Sequence, residues 1–494
     1  MYLRMLHSKY VKPSFGSYFV KKFLFSLVLI LSFLPIASPA QKRPQVVPKP
    51  AVTPAATKAA QSYTIPIKTK TLANGLEVIV YPDSSVPIVT VELAVRNGSF
   101  TEPPELNGLS HLYEHMFFKS NKATATQESY LKDIGQLGIT YNGSTREEVV
   151  NYYFTTTSQY IETAVRFIKD AVRYPAFDEE EFAREKQVVI GEIDRNEANP
   201  FFYLNTTLNA KLFYKYPTRK QPLGTRETVA TATTDKMRTI QGRYYVPNNS
   251  ALVVTGDCDP EAVFKFAETY FGDWERRAVD PFKEFPLVEH PPLPKSEGVI
   301  VQQPVQNVLV QIGWQGPSIG KDNAATYAAD VFSFIITQPD SKFQRDLVDS
   351  GLAVGADFGY YTQRNVGPIV LTLVTTPDKA KAALNAAYAE VAQFDKPGYF
   401  TDAELENAKT ILSSRDLFDR EKLTEYAHTL SFWWSSTGIE YFQGYHKTLH
   451  GMTREDMNRY VQTYIQAKPH VGIALISPES QNTANLTSVD LIGK

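Results

Sequence analysis

Asn107-Gly108-Leu109-Ser110-His111-Leu112-Tyr113-Glu114-His115-Met116-Phe117-Phe118-Lys119 is the stretch on which the reading turns. Its apolar spacing predicts a helix from Gly108. On a helix, imidazoles at i and i+4 lie on one face, so His111 and His115 can share one metal ion. Glu114 projects from that same face, within reach of a water on the metal. The order H-x-x-E-H inverts the commoner H-E-x-x-H and is itself a zinc-hydrolase pattern. The bland alternative is a solvated helix with a chance His pair. Against it, the chain has only 8 His, and two of them fall within one helical turn of Glu114.

A catalytic zinc takes three protein ligands and keeps a position open. The third must come from elsewhere, and the predicted helix 181–195 offers Glu185 and Glu192, two turns apart on one face. Both flank the apolar run Val188-Val189-Ile190, where a carboxylate is costly to bury unless it meets a cation.

Further out, the chain reads as a duplication. Strand patterns LEVIVY and IVTVELAV precede the His helix, and NYYFTT (151–156) follows it; Tyr245-Val246-Pro247 leads into ALVVTG. The second half repeats the order with GVIVQQ, VLVQIGW, a helix from Asn323, and Tyr464 leading into HVGIALIS. His111 then pairs with Tyr327 and Tyr245 with Tyr464, nearly one period, as in a tandem α/β repeat. The expected divisions are a catalytic domain over 63–276, a proline-rich linker over 277–297 and a homologous domain over 298–494.

The N-terminus carries Lys21-Lys22, an apolar run from Phe23 to Ile36, and Ala37-Ser38-Pro39-Ala40. That is a cleavable secretory signal peptide over 1–40. As a helix the apolar run spans about 21 Å, short of a hydrocarbon core of about 30 Å. Residues 41–62, rich in Pro, Ala and Lys, read as a flexible linker. The expected location is the periplasm, with no stable membrane span after cleavage. The 494 residues are 43% hydrophobic and 21% charged, which excludes wholesale disorder. The segment 1–40 holds Arg4, Lys9, Lys12, Lys21 and Lys22, five of the 51 Lys and Arg, and none of the 53 Asp and Glu. The chain beyond Ala40 is therefore net acidic, which argues against nucleic acid as a partner. The single cysteine, Cys258, rules out an internal disulfide or a thiolate zinc cage.

These residues resemble the insulinase/pitrilysin family of zinc peptidases, in particular two-domain subunits such as mitochondrial processing peptidase beta and bacterial periplasmic relatives. The family signature is H-x-x-E-H and then, after a fixed interval, a Glu; here positions 116–191 fill that interval between His115 and Glu192. The likeness extends over Leu72–Gly75, Gly108–Lys119, Asn142–Phe154, Glu185–Glu192, Pro222–Thr225 and Tyr245–Gly256. It implies an α+β fold of two tandem homologous α/β-sandwich domains, each a mostly antiparallel sheet covered by helices. It also implies one zinc held by His111, His115 and Glu192, with Glu114 as general base and Glu185 as a supporting carboxylate. Asn142 matches a family Asn on an edge strand that binds extended substrate. Gly143 departs from the Ala usual after it.

A second departure bears on partners. Active members supply an Arg and a Tyr around a G-L-x-Tyr segment; Leu347 and Val354 stand in those places here. Tyr327 and Val331 replace the two histidines in the second half. The resemblance therefore implies a zinc metalloendopeptidase, a hydrolase of unfolded peptides in a closed chamber. A homologous subunit without the zinc motif would complete it as a heterodimer. The alternatives are a self-sufficient homodimeric peptidase and a non-catalytic assembly subunit of the same fold.

Overall fold

The computed structural model describes residues 65–494; the expected signal peptide and linker lie outside them. Two sheets carry the chain. The first orders its strands β1-β2-β6-β3-β5-β4. These are β1 Lys68–Thr71, β2 Glu77–Pro82, β3 Ile88–Val95, β4 Thr140–Thr145, β5 Val150–Thr157 and β6 Ser250–Gly256. The second orders them β7-β11-β8-β10-β9. Its members are β7 Glu297–Gln302, β8 Val308–Gln315, β9 Gly355–Tyr360, β10 Pro368–Thr375 and β11 Val471–Ile476. Apart from β1 the two orders superpose strand for strand. In each, one parallel pair (β2/β6, β7/β11) sits among antiparallel ones. The duplication read from Tyr245 and Tyr464 is thus a duplication of topology, since both residues lead into the closing strand of their sheet.

Strand alternation sorts each sheet into two faces. On β3, Val89, Val91, Leu93 and Val95 enter the first core, while Thr90 and Glu92 point the other way. The core face meets α1 (Leu109–Phe117), α2 (Ile161–Arg173) and α3 (Glu179–Glu197). The opposite faces are covered reciprocally. Helix α4 (Pro200–Leu212), from the first half, lays Leu204, Leu208 and Leu212 on Val471, Ile473 and Leu475 of β11. In the second half, α5 (Asn323–Ile336) is buried almost all round. Helix α6 (Leu423–Ser436), also from the second half, returns to the first sheet. There Thr424 bonds Thr90 and Thr155, and Thr255 donates to the Leu423 carbonyl (2.8 Å). Buried Glu92 meets His428 and Asn151, and Arg96 lies 3.9 Å over the Trp434 ring. Each half thereby lends one helix to the other's sheet.

On the segment that joins the two sheets, His290 is buried against Phe213 with both ring nitrogens lacking a hydrogen-bond partner among the described residues. Burial, then the nearby Lys220 and Arg219, push its pKa down to about 3. The unfolded chain, with an ordinary imidazole, binds the proton first, so stability falls as pH drops below about 6.5. Down to pH 5 that amounts to about 2 kcal/mol. In metal-free protein, His290→Leu is therefore expected to lose less thermal stability between pH 7 and pH 5 than wild type. Parallel losses in the two proteins would mean His290 is charged in the fold.

No helix among the described residues is long and apolar enough to cross a membrane.

Candidate metal centre

Helix α1 begins at Gly108, which holds a φ of 83° and, as a glycine, has no side chain to cap the helix. Glu102 caps it instead: its carboxylate accepts the Gly108 and Ser110 backbone N–H groups at 2.7 and 2.6 Å. A negative group there also complements the helix dipole. Glycine is required at 108 for a second reason, because a Cβ would come 2.5 Å from the Gly224 Cα. Helix α3 starts on Asp178, which accepts from the Glu180 and Glu181 N–H groups; Glu179, Glu180 and Glu181 fill its first turn.

The two helices face each other through their polar stripes. His111 Nε2 and His115 Nε2 lie 3.4 and 3.6 Å from the same Glu192 oxygen, Oε2. Ligand atoms of these three residues all fall within 4.8 Å of one another. Hydrogen-bonded pairs close to about 2.7–3.2 Å. A tetrahedral ion with bonds of about 2.0–2.1 Å sets its ligand atoms about 3.3–3.4 Å apart. The two His–Glu192 separations lie close to that edge. Two imidazoles and one carboxylate are also a donor set that zinc accepts. The His-His-Glu group therefore fits a small tetrahedral cation.

Glu185, two turns before Glu192 on the same helix, stands behind the His115 ring. Its Oε2 accepts from His115 Nδ1 at 3.1 Å, and its Oε1 pairs with Lys119 Nζ at 2.6 Å. The buried carboxylate thus meets the cation that its apolar setting requires. Burial alone would raise Glu185, but the hydrogen bonds from His115 and Lys119 override it and hold it below its ordinary pKa. Glu192 is likewise held down, chiefly through His115 against the opposing effect of burial. Burial opposes a charged His115, yet its bonds to Glu185 and Glu192 raise it to about 9. His111, by contrast, is pushed down to about 4 by burial and by His115, and its Nδ1 has no partner among the described residues.

Glu114 is aimed at the edge strand β4. Thr145 donates its hydroxyl to Glu114 Oε2 at 2.6 Å. Burial raises the carboxyl to about 6, with His115 and the Thr145 bond opposing. The departure at Gly143 has a local cause: a Cβ there would stand 2.7 Å from Glu114 Cγ. Glycine makes room for the carboxylate. Asn142 lies on exposed β4 opposite Tyr153, and its own Oδ1 accepts the Gly143 N–H at 2.9 Å. Among the described residues strand β4 pairs with β5 alone, so its outer edge offers backbone donors and acceptors.

Thus His111, His115, Glu192, Glu114 and Glu185 come together, with Asn142 on the neighbouring strand. Sequence reading missed Lys119, Thr145, Glu102 and Glu181. Glu181 accepts from the Ser120 hydroxyl (2.6 Å) and backbone N–H, and from the Gln127 N–H. Its place one turn before Glu185 on the same face was the available signal.

In the second half, Tyr327 is buried and stacks on Tyr441 with centroids 4.6 Å apart, while Val331 is in the core. Leu347 is fully buried in that core, and Val354 is exposed. Tyr360 donates to the Pro317 carbonyl (2.9 Å) and Tyr361 to Glu147 (3.2 Å), so both hydroxyls are committed within the fold.

Comparison with known proteins places these features. Residues 78–226 match the family "Insulinase (Peptidase family M16)" and 231–412 match "Peptidase M16 inactive domain". The zinc protease YmxG of Bacillus subtilis is 25% identical over 345 residues, covering 69% of this chain and 82% of that one. The zinc protease PqqE of Helicobacter pylori is 23% identical over 427 residues, covering 84% and 94%. Human insulin-degrading enzyme is 29% identical over 227 residues, 44% of this chain but 22% of that enzyme. Among solved structures, a protease from Helicobacter pylori superposes with a TM-score of 0.75 at 21% identity, covering 83% of this chain and 99% of that one. The first half of the periplasmic protease PqqL from Escherichia coli gives 0.68 at 17% identity, covering 86% and 95%. With both domain types in tandem and one shared two-domain fold, the chain belongs to the M16 peptidase family.

Proposed function

We propose that this chain is the zinc-bearing subunit of a periplasmic endopeptidase that hydrolyses unfolded peptides in a closed chamber. The observation that carries the reading is the convergence of His111, His115 and Glu192, with both His–Glu192 separations close to a tetrahedral edge and Glu114 beside them. His111, His115 and Glu192 would hold one zinc. When bound, zinc supplies Lewis-acid chemistry that acidifies water and polarises a carbonyl. Glu114 takes the proton from the attacking water and passes it to the leaving amine. Thr145 fixes that carboxylate on one oxygen, leaving the other for the proton. Glu185 accepts from His115 Nδ1 and so keeps Nε2 free as a ligand. The free edge of β4, with Asn142, binds the peptide as an added strand, which favours extended over folded substrates.

The periplasmic location rests on the signal-type sequence over 1–40. The domains would divide at 277–297, between the last strand of the first sheet and β7. Leu347, buried and apolar, cannot supply the Arg that the family places at that position, so a homologous subunit lacking the zinc motif would complete the enzyme.

Zinc content tests the metal assignment. Mature protein is expected to carry about one zinc per chain, and Glu192→Gln to lose most of it. Full occupancy in Glu192→Gln would mean the third ligand is another residue.

A further inference from the structure

Lys119 lies just past the end of α1, and its ammonium is almost wholly withdrawn from solvent. Its side chain is 10% exposed, against 12% for Glu185, and the two close to 2.6 Å. A buried ion pair with one partner removed leaves an uncompensated charge, which is far costlier than the pair itself. The carboxylate left behind would be Glu185, whose other oxygen accepts from His115 Nδ1. The contacts therefore run in series: Lys119 Nζ to Glu185 Oε1, Glu185 Oε2 to His115 Nδ1, His115 Nε2 to the cluster with Glu192. His111 has no counterpart on its Nδ1, so this series is the one polar brace on the ligand imidazoles among the described residues.

We propose that Lys119 is a positioning residue for the metal centre, holding Glu185 so that the His115 ring presents Nε2 in ligand geometry. Its neighbour Ser120 supports this arrangement, being tied to Glu181 on the same face of α3 by its hydroxyl and its backbone N–H. The segment leaving α1 is thereby clamped to α3 at two successive residues. Lys119 never touches the metal; it acts through Glu185, which a neutral side chain of equal length cannot do.

The inference rests on the zinc reading above, and the experiment separates the two. Zinc affinity of the mature chain is measured by competition with a chromophoric chelator at fixed pH, independently of peptide hydrolysis. Lys119→Met is expected to bind zinc about 10- to 100-fold more weakly. Lys119→Arg, which keeps a positive donor for Glu185 on a bulkier group, is expected to lose less affinity than Lys119→Met. Glu185→Gln should weaken binding comparably, and Lys119→Met/Glu185→Gln should bind no more weakly than Glu185→Gln alone. Wild-type affinity in Lys119→Met overturns the proposal, as do losses that add in the double variant. Should Lys119→Met fail to fold around an unpaired Glu185, the neutral double variant decides. Affinity equal to Glu185→Gln upholds the series, and a further loss overturns it. His115→Ala is the control: retention of zinc there defeats the metal assignment itself.

Discussion

Glu114→Gln is expected to lose peptide hydrolysis by about 100- to 10,000-fold, the range that a positioned general base contributes. Fold and zinc should both survive. The amide has the carboxylate's shape, so the space opened by Gly143 still accommodates it. Burial already raises the Glu114 carboxyl to about 6, which means that the charged form is held at some cost. A neutral amide removes that cost, and thermal stability should be unchanged or slightly higher. The Thr145 hydroxyl can turn to serve either group, so the local bond is kept. What the amide cannot do is accept a proton from water. Steady-state hydrolysis of an unstructured peptide, run beside zinc analysis of the same preparation, checks this. A zinc-loaded variant that hydrolyses at the wild-type rate would remove Glu114 from the chemistry.

The parts of this centre that are legible in the sequence are those whose geometry is local. His111, Glu114 and His115 lie close together along the chain, and helical periodicity alone puts them on one face. Glu192 needs more: helix periodicity narrows the choice to Glu185 or Glu192, and only the family's fixed interval after H-x-x-E-H separates them. The doubling of the fold is visible because each closing strand follows a similar Tyr-led segment. Lys119 is not visible as a partner, because a long stretch of chain separates it from Glu185 and nothing local marks a buried lysine. Thr145 is hidden likewise; its hydroxyl matters only because β4 folds against α1. The reciprocal helices are hidden for another reason. The apolar stripe of α4 states that it must be covered, and not that its cover is the other half's sheet. Local periodicity fixes elements, while their pairing is set by long-range packing that one sequence does not print.

The isolated chain is expected to hydrolyse peptides slowly, and a homologous subunit carrying the Arg/Tyr pair but lacking H-x-x-E-H should raise the rate by about 100- to 1,000-fold. That is the value of one preorganised donor at a developing oxyanion. Leu347 offers no hydrogen bond and is wholly packed in the second core, so no rotation of its side chain brings a donor to the centre. Val354 is exposed but apolar. The two tyrosines that follow have other work: Tyr360 is tied to Pro317 and Tyr361 to Glu147. Recruiting either would break a bond made by a buried hydroxyl, which costs about 1–3 kcal/mol. That penalty falls on every turnover, whereas a second subunit brings its donors already placed. Replacing the partner's Arg or Tyr should abolish the gain while zinc on this chain stays bound. Activity must be measured on protein shown by mass spectrometry to be free of any partner. Full-speed cleavage by that preparation would defeat the heteromeric reading and leave the self-sufficient homodimer. Tyr361→Phe would then be the first variant to make, since that ring stands on the segment directly after β4 through Glu147.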